Sequence, residues 1–340
     1  MQLNEFKTYE AGEESVGFII HLFLQHFDQT FNKSSYKRFL KFFENNQHIN
    51  KWMIFSDYVI GEKSKPNDVV TFSIIPYNKN FHTRGEIIEK KSFKDAKKLK
   101  RINSDFINLL SDDEILNLSI LVPKKWKLDP INERELLRTR YTSAIKQVDH
   151  WLTHGPNRSY DILKRNLNIL LAELDKQGAN LTAIRNIEFV STMSAYISYQ
   201  VCLATKVDIV GWFSDRDSML SYKAAKFDKP VIFDLSHNLF HVLMMSNNPD
   251  YSEKLVFGLP ETTGKVWYDS YNRVPDLIAA TLADYDYINN KCSEKFVPVI
   301  EKVLINKDKQ IIYRLSYENS QHQTSVLDFG LEEECINSDD

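Results

Sequence analysis

The stretch Trp52-Met53-Ile54-Phe55-Ser56-Asp57-Tyr58-Val59-Ile60-Gly61 decides the fold class of this chain. Its β-branched and aromatic residues, ended by a glycine, are typical of a buried β-strand. A turn-forming run at 65–68 separates it from a second such run at 69–75, and a third follows at 116–122. The sequence therefore predicts three strands, with the aspartate Asp57 inside the first of them.

Helical periodicity surrounds these strands. Residues 1–50 are predicted to form an N-terminal helical hairpin, because apolar and aromatic residues recur at helical spacing on both sides of a short polar run. Residues 133–152 and 159–175 show the same spacing, with a Gly-Pro-Asn turn between them. These two helices make up a helical insertion predicted at about 130–180.

The second half of the chain alternates between strand-like and helix-like runs. Ile187-Glu188-Phe189-Val190 is predicted as a strand that precedes an apolar helix at 193–203. Two buried strands are predicted at 207–213 and 230–233, joined by a short helix at 218–227. A strand, a crossover helix and a strand imply a parallel pair with a right-handed connection.

The remaining elements complete the predicted architecture. A helix is expected to begin at Pro275, a residue suited to a first helical turn, and to run to about Asn289. An edge strand is predicted at 311–315, before an acidic tail that is expected to fray. The whole predicts an α/β protein, a mixed sheet flanked by helices, with its core at 51–305 and an edge strand and acidic tail at 306–340.

The composition is that of an ordinary globular protein. The 340 residues carry a net charge of −3, so no global field attracts nucleic acid or an anionic membrane. The three cysteines, Cys202, Cys292 and Cys335, are widely spaced and odd in number, and they are expected to be reduced and inert. No apolar run approaches the roughly 18 residues that span a bilayer, so no membrane association and a cytoplasmic location are expected.

Aspartates stand where predicted strands end or where a helix meets the sheet. An ionised carboxylate inside a strand is costly unless it is paired or binds a cation, and ligands of open α/β sheets bind at the carboxyl ends of strands. Mg²⁺ prefers oxygen ligands, and two such ions can assist a phosphodiester displacement. The candidate residues are Asp57, Asp215, Asp217, Asp234, Asp276 and Asp284.

Several of these aspartates also have a structural interpretation. Asp215 and Asp217 can be a loop residue and a helix N-cap, since aspartate is common at both. Asp276 can complement the dipole of its helix, and Asp284 can be solvated. Asp57, flanked by apolar residues of a central strand, is the hardest to explain without a cation or a dedicated hydrogen-bond partner.

Three motifs, in this order, resemble the RNase H-like fold. They are Asp57 in the first strand, Gly211-Trp212-Phe213-Ser214-Asp215-Arg216-Asp217 after a buried strand, and Val274-Pro275-Asp276-Leu277-Ile278-Ala279-Ala280 in a late helix. The likeness is to a broad family of uncharacterised bacterial proteins of that class, and it covers about residues 51–290. It implies a two-metal nuclease site.

The chain departs from that family pattern in two of the motifs. The first strand reads Asp57-Tyr58-Val59 where a second acidic residue is usual, unless Glu62 replaces it. In the late helix, Pro275 and Ala280 stand where small Ala and Gly are usual. A degenerate site is therefore an alternative to an active one.

Basic residues are dense beside the second and third predicted strands. They are Lys79, Arg84, Lys90, Lys91, Lys94, Lys97, Lys98, Lys100 and Arg101, followed by Lys124, Lys125, Lys127, Arg134, Arg138 and Arg140. Such runs are commonly solvated helix faces, but they can also track a phosphate backbone, with Trp126, Tyr141 and Trp151 as stacking surfaces. We predict that the basic residues share a surface with the aspartates.

Other catalytic motifs have little support in the sequence. His237 and His241 are four residues apart, the spacing of a zinc pair, but the glutamate of the metalloprotease motif is missing. The glycines form neither a phosphate-binding loop nor a dinucleotide fingerprint, and there is no Gly-x-Ser-x-Gly elbow. These observations favour the aspartates as the chemical groups of the protein.

The leading hypothesis is an RNase H-like, metal-dependent nuclease that acts on nucleic acid phosphodiesters. Mg²⁺ or Mn²⁺ would be held by Asp57, Asp215, Asp217 and Asp276, and Asp284 completes the candidate catalytic set. The rival hypothesis is a catalytically degenerate relative that binds a protein partner, as a component of a bacterial defence system. Binding of divalent cations at the aspartates discriminates between the two.

Overall fold

The structure, a computed structural model, describes residues 3, 17–92, 96, 99–112, 114–248, 251–259, 264–318 and 321–330. Within these residues, seven strands occur at Lys51–Val59 (β1), Asp68–Pro76 (β2), Leu116–Val122 (β3), Ile209–Ser214 (β4), Leu255–Gly258 (β5), Gln310–Glu318 (β6) and Gln321–Leu327 (β7). The longer helices are Leu22–Ser34 (α1), Tyr36–Glu44 (α2), Phe81–Ser92 (α3), Ser104–Asp112 (α4), Glu133–Leu152 (α5), Arg158–Leu174 (α6), Leu181–Ala204 (α7), Val231–Asn247 (α8) and Asp269–Asp284 (α9). Short helical turns follow α9 at Glu294–Phe296, Val297–Val299 and Ile300–Leu304.

All seven strands belong to one mixed sheet in the order β5-β4-β1-β2-β3-β6-β7. β1 pairs antiparallel with β2, β2 pairs antiparallel with β3, and β6 pairs antiparallel with β7. β1 and β4, β4 and β5, and β3 and β6 pair in parallel. The predicted α/β class, a mixed sheet flanked by helices, is therefore confirmed, and the strands predicted at 52–61, 69–75 and 116–122 are β1, β2 and β3.

Helices cover both faces of the sheet and create two hydrophobic cores. Along β1, Trp52 and Ile54 point into a core formed with α1, α2 and α5 to α8, whereas Met53, Phe55 and Val59 point into a second core formed with α3, α4 and α9. This alternation follows from the two-residue period of a strand. The two faces are called the α7 face and the α9 face below.

Two predicted strands are helical in the structure, so these predictions were wrong. Residues 187–190 lie inside the 24-residue helix α7, whose N-terminus is capped where the side chain of Asn180 accepts a hydrogen bond from the Ala183 N–H. Residues 230–233 form the start of α8. Both runs are only four residues long, and a short apolar run fits a buried helix as well as a buried strand.

The parallel pair predicted from 207–213 and 230–233 is wrong in its second member, although a parallel pair with a helical crossover does occur here. The strand after β4 is β5, and the crossover helix is α8 rather than the segment 218–227, which contains turns and the short 3₁₀ helix Ala224–Lys226. The crossover helix was predicted before residue 230 instead of after it, because the first turn of α8 was assigned to a strand.

The last long helix begins six residues before Pro275 and ends five residues before the predicted end. Tyr271 holds the turn that precedes the proline, because its ring stacks on Phe55 and Phe81 at 4.8 and 4.4 Å between centroids. The helix ends at Asp284 because Asn67 caps it: its N–H donates to the Ala283 carbonyl, and its side-chain amide donates to the carbonyls of Leu282 and Tyr285.

The strand predicted at 311–315 is confirmed, but its position at the edge of the sheet was wrong. These residues belong to β6, which lies between β3 and β7, so the two edges of the sheet are β5 and β7. The polar sequence of β7, Gln-His-Gln-Thr-Ser-Val-Leu, has weak strand propensity. It pairs with β6, which is why β6 is not an edge strand. Residues 331–340 of the predicted acidic tail lie outside the described residues.

The two N-terminal helices pack on the sheet through aromatic side chains. Phe31 of α1 contacts Phe39 of α2 at 5.3 Å, and Phe43 of α2 contacts Trp52 of β1 at 4.6 Å between ring centroids. No helix among the described residues is long and apolar enough to cross a membrane. Cys202 and Cys292 form no disulfide, and Cys335 lies outside the described residues.

Candidate metal and nucleic-acid site

Asp57 lies near the carboxyl end of β1, on the α9 face of the sheet. Its neighbours on the same face of the strand, Phe55 and Val59, are both in the core beneath α9. Asp57 is 9% exposed, and it pairs in register with Thr71 of β2. The sequence correctly predicted an aspartate that is almost completely buried within a central strand.

Asp215 follows directly after β4, beside Asp57. β1 and β4 are parallel with Ser56 opposite Ser214, and the Asp215 N–H continues this ladder by donating to the Ser56 carbonyl at 2.9 Å. Asp57 and Asp215 are therefore the next pair in the register, on strands about 4.8 Å apart. Because Phe213 points to the α9 face and Ser214 to the other, alternation predicts that the Asp215 side chain returns to the face of Asp57.

A buried hydrogen-bond network fixes the ends of both strands from the α7 face. The hydroxyl of Tyr58 lies 2.6 Å from Ser56 Oγ and 2.9 Å from Ser214 Oγ, which joins β1 to β4. The indole N–H of Trp212 donates to Ser56 Oγ at 2.8 Å. A satisfied polar network of this kind rigidifies the backbone that carries the two aspartates.

Asp217 contributes charge to this edge but is held by its own turn. Its Oδ1 accepts hydrogen bonds from the Met219 N–H at 2.8 Å and from Ser218 Oγ at 3.2 Å, as an aspartate does when it caps a turn. Burial raises the pKa of the Tyr58 hydroxyl, and the negative charges of Asp217 and Asp57 raise it further. The three aspartates at 57, 215 and 217 therefore make this edge acidic.

The structure directs Asp276 of α9 toward a different group of residues. Its Oδ2 accepts a hydrogen bond from the Ala96 N–H at 2.9 Å, and Arg273 lies 3.9 Å from the same oxygen. It also lines a small depression with Ile102 and Phe106. Asp276 therefore joins α9 to the segment between α3 and α4.

Asp284, the last residue of α9, is bound to a lysine. Lys65 Nζ lies 2.6 Å from Asp284 Oδ1, and the Ser293 N–H donates to Oδ2 at 2.6 Å. Burial alone would raise the pKa of Asp284, but these hydrogen bonds and the charge of Lys65 lower it below its ordinary range. Asp234, which was predicted to end a strand, lies in the first turn of α8 and contacts Lys229 and Asn166.

The carboxylates of Asp57 and Asp215 fit a cation that needs few protein ligands. Across the part of the chain that the structure describes, no group of three or more His, Cys, Asp or Glu side chains could hold a metal ion. Mg²⁺ is commonly bound through one or two carboxylates and keeps several waters. Asp57 and Asp215 therefore suit Mg²⁺ or Mn²⁺ in chemical type and number, and the wider ligand set remains a sequence-based prediction.

Most of the predicted basic stretch after β3 has a structural role. Arg134 donates to the carbonyls of Leu174 and Lys176, and Arg138 pairs with Glu135 and Asp175. Arg140 is buried and pairs with Glu188. The other cations of this stretch are exposed at the end of β3, namely Lys124, Lys125 and Lys127. In the earlier stretch, Lys94, Lys97 and Lys98 lie outside the described residues.

The predicted stacking surfaces are already occupied by protein. Tyr141 and Trp126 are only 1% and 4% exposed, so neither ring can present a face to a base. Trp151 stacks on Phe18 at 5.3 Å between ring centroids. The two histidines of the zinc-like spacing share α8 but have separate partners, Glu253 for His237 and Tyr251 for His241.

A further buried carboxylate, Glu188 of α7, was not among the candidates that the sequence suggested. Its Oε2 accepts hydrogen bonds from Arg140 Nε at 2.9 Å and from His21 Nε2 at 3.0 Å, and it is fully buried. It was overlooked because residues 187–190 were predicted to form a strand. The sequence did contain a signal for a helix here. Asn180 is a favourable N-cap residue, and apolar residues recur at helical spacing after it, around Glu188.

Comparisons of the chain with protein-family models, with curated proteins and with solved structures found no match. The evidence for function therefore comes from the residues and their geometry.

Proposed function

We propose that this protein is an RNase H-like, metal-dependent hydrolase of nucleic acid phosphodiesters, in which Asp57 and Asp215 hold Mg²⁺ or Mn²⁺. The observation that carries the proposal is the parallel register of β1 and β4, which makes Asp57 and Asp215 neighbours at the carboxyl edge of the sheet. Ligands of open α/β sheets bind at this edge.

The strand order supports the RNase H-like part of the proposal. The five strands β5-β4-β1-β2-β3, in which β2 alone runs antiparallel to the rest, have the arrangement of RNase H-like sheets. The order of the connections agrees as well, with α5 to α7 between β3 and β4, α8 between β4 and β5, and α9 after β5. The additions to this arrangement are α1 and α2 before β1, α3 and α4 between β2 and β3, and β6 and β7 at the end.

The chemistry assigned to the site needs little from the protein beyond position and charge. A bound divalent ion would polarise the phosphate and generate a hydroxide-like nucleophile from water. Asp57 and Asp215 would bind the ion, while the Tyr58 network on the opposite face would keep both strand ends in place. Asp217 would add negative charge without leaving its turn.

The proposal narrows the candidate set that the sequence suggested. Asp276 and Asp284 each have partners of their own, the Ala96 N–H for the first and Lys65 for the second. Their assigned role here is to attach α9 to the segments at 92–106 and 62–65. Loss of either would therefore act on the stability of α9 before it acted on catalysis.

A cleavage assay tests the proposal. Labelled single-stranded DNA, duplex DNA, RNA and an RNA–DNA hybrid would be incubated with Mg²⁺, with Mn²⁺ or with EDTA. Cleavage should require the metal and fall more than about 100-fold in Asp57→Asn and in Asp215→Asn, since loss of a mere supporting group can cost 10–100-fold.

Asp161→Asn is the matched control, because Asp161 is an exposed aspartate in the first turn of α6. It should cleave like the wild type. Metal-independent cleavage, or equal cleavage by wild type and Asp57→Asn, would overturn the proposal.

A second candidate function, binding of a protein partner by a degenerate relative, is favoured by exposed apolar residues at one edge of the sheet. Val256 of the edge strand β5, Leu259 just after it, and Trp267 each expose about half of their surface, at 46%, 52% and 56%. Trp267 packs on Phe213, which pairs with Gly258 of β5. An open edge strand with apolar neighbours is a common docking surface for another chain. A protein that binds no divalent ion and cleaves none of the four substrates would fit this second function.

A further inference from the structure

A cavity of about 590 Å³ lies at the carboxyl edge of the sheet, on the α7 face. Its walls come from the residues after β1, from the loop after β3 at 123–127, and from the first two turns of α7. Asp57 points to the opposite face, so the cavity is distinct from the aspartate pair. Its volume is in the range of about 300–1,000 Å³ that is typical of small-ligand pockets.

The cavity has an excess of positive charge. Two of its five cations are neutralised: Lys124 binds Asp68, and Arg185 binds Glu133 through two hydrogen bonds of 2.6 Å. The other three, Lys63, Lys125 and Lys127, are exposed and have no carboxylate within ion-pair distance among the described residues. An anion that entered the cavity would therefore meet the ammonium groups of Lys63 and Lys125, while that of Lys127 also contacts the Pro130 carbonyl at 3.5 Å.

The loop that carries two of these lysines is held in a fixed shape. Lys125 has a φ of +64°, a left-handed conformation that is rare for residues other than glycine, asparagine and aspartate. On one side of it, the ring of Trp126 packs between Phe23 and Phe189. On the other, the Lys127 N–H donates to the Tyr317 hydroxyl at 2.7 Å. The conformation is thus imposed by its surroundings, as is common at binding sites.

Two further features of the cavity favour an anion with an apolar part. The N-terminus of α7 contributes Thr182 of its first turn, and the positive end of a helix dipole attracts negative charge. Much of the remaining wall is apolar, with Ile60, Val122 and Pro123, while Asp68 and Asn186 are polar. The indole N–H of Trp126 is buried and has no acceptor in the part of the chain described, so it is a spare hydrogen-bond donor.

We propose that this cavity binds the phosphate end of a nucleotide, either free or as the 5′ terminus of a nucleic acid strand. Lys63 and Lys125 would bind the phosphate, and the half-buried Ile60 and Pro123 would contact the sugar. A strand end bound here would give the proposed nuclease its substrate class, and in that form the inference rests on the proposed function. Phosphate binding itself needs no metal.

The test is a binding measurement in EDTA, which keeps it independent of metal-dependent cleavage. The probes are AMP and an eight-nucleotide oligothymidylate, with and without a 5′ phosphate, titrated against the full chain by calorimetry at low salt. The cavity variant is Lys63→Gln with Lys125→Asn, because asparagine tolerates the left-handed backbone at 125. The matched control is Lys33→Gln with Lys37→Gln, two exposed lysines of α1 and α2.

The wild type and the control variant should bind AMP or the 5′-phosphorylated oligonucleotide, and the cavity variant should bind at least about tenfold more weakly. Binding of AMP identifies a free nucleotide as the source of the phosphate, and binding of the phosphorylated strand alone identifies a strand end. Failure of the wild type to bind either probe overturns the proposal. So does equal affinity in the cavity variant, or equal affinity for the oligonucleotide without its phosphate.

Discussion

Two buried acidic regions of this protein differ in what surrounds the negative charge. Glu188 of α7 is matched by opposite charge and hydrogen-bond donors, Arg140 at 2.9 Å and His21 at 3.0 Å. Asp57 of β1 stands instead beside a second carboxylate, Asp215, on the neighbouring strand. The first arrangement is that of a structural ion pair, whereas the second brings two acidic residues to one edge of the sheet, as a divalent cation site requires.

The difference separates structural from functional carboxylates by the groups that surround them. Burial alone does not distinguish them, since Glu188 is fully buried and Asp57 nearly so. The composition of the surroundings does, because acidic residues gathered from separate strands are the oxygen ligands that a divalent cation requires. The predictions below test the two regions separately.

The largest effect is expected at the Glu188 region. Arg140→Met would leave Glu188 buried without its cation and should lower the free energy of unfolding by about 3–5 kcal/mol in urea titrations at pH 7. Arg138→Met on the same helix is the matched control, since Arg138 pairs with Glu135 and Asp175 at the surface. It should cost no more than about 1 kcal/mol.

A double variant, Arg140→Met with Glu188→Met, sharpens this result. Replacing both members of a buried pair by apolar residues is often close to neutral, so much of the lost stability should return. If Arg140→Met unfolded at the same urea concentration as Arg138→Met, the account of Glu188 as a charge that depends on Arg140 would be wrong.

A smaller effect is expected from acid. Burial tends to raise the pKa of Glu188, but the charge of Arg140 and the hydrogen bond from His21 outweigh it and lower the pKa to about 2. The unfolded chain, with a glutamate pKa of about 4.3, takes up its proton first, so stability should fall as the pH drops from about 4.3 toward 2. Urea titrations across this range should show a shallower loss for Glu188→Gln than for the wild type; equal slopes would contradict the assignment.

The smallest effect is expected at the aspartate pair in the absence of metal. Asp215→Asn keeps the shape of the side chain and removes only its charge, so in EDTA it should change the free energy of unfolding by less than about 1 kcal/mol. Asp161→Asn, at an exposed position of α6, should show no change. A loss of more than about 1 kcal/mol in Asp215→Asn would identify Asp215 as a stabilising residue with structural partners.

The sheet was predictable where its strands are long and rich in β-branched residues. β1 and β3 match their predicted ranges within one or two residues, and helices α5 and α6 match because their apolar spacing extends over several turns. The errors at 187–190 and 230–233 came from four-residue runs, for which periodicity cannot decide between helix and strand. β7 was missed because pairing with β6, rather than propensity, makes it a strand.

The candidate site was predictable only in part, for a related reason. Asp57 and Asp215 could be expected to meet, because the carboxyl ends of parallel strands share one edge of the sheet. The partner of Asp276 could not, since Ala96 is 180 residues away in sequence and on a segment with no periodic signal. The charge balance of the cavity beside α7 likewise depends on tertiary pairs such as Arg185 with Glu133.

The most direct test of the central claim, that Asp57 helps to hold a divalent cation, is thermal melting of the wild type and Asp57→Asn with and without Mn²⁺. A ligand that binds only the folded state stabilises it by about 2.7 kcal/mol at 100 times its Kd. The account predicts that Mn²⁺ raises the Tm of the wild type by several degrees, that Asp57→Asn loses this shift, and that the two proteins melt alike in EDTA. A wild type without a Mn²⁺ shift, together with an Asp57→Asn variant that is less stable by about 1–3 kcal/mol, would contradict it and identify Asp57 as a structural residue.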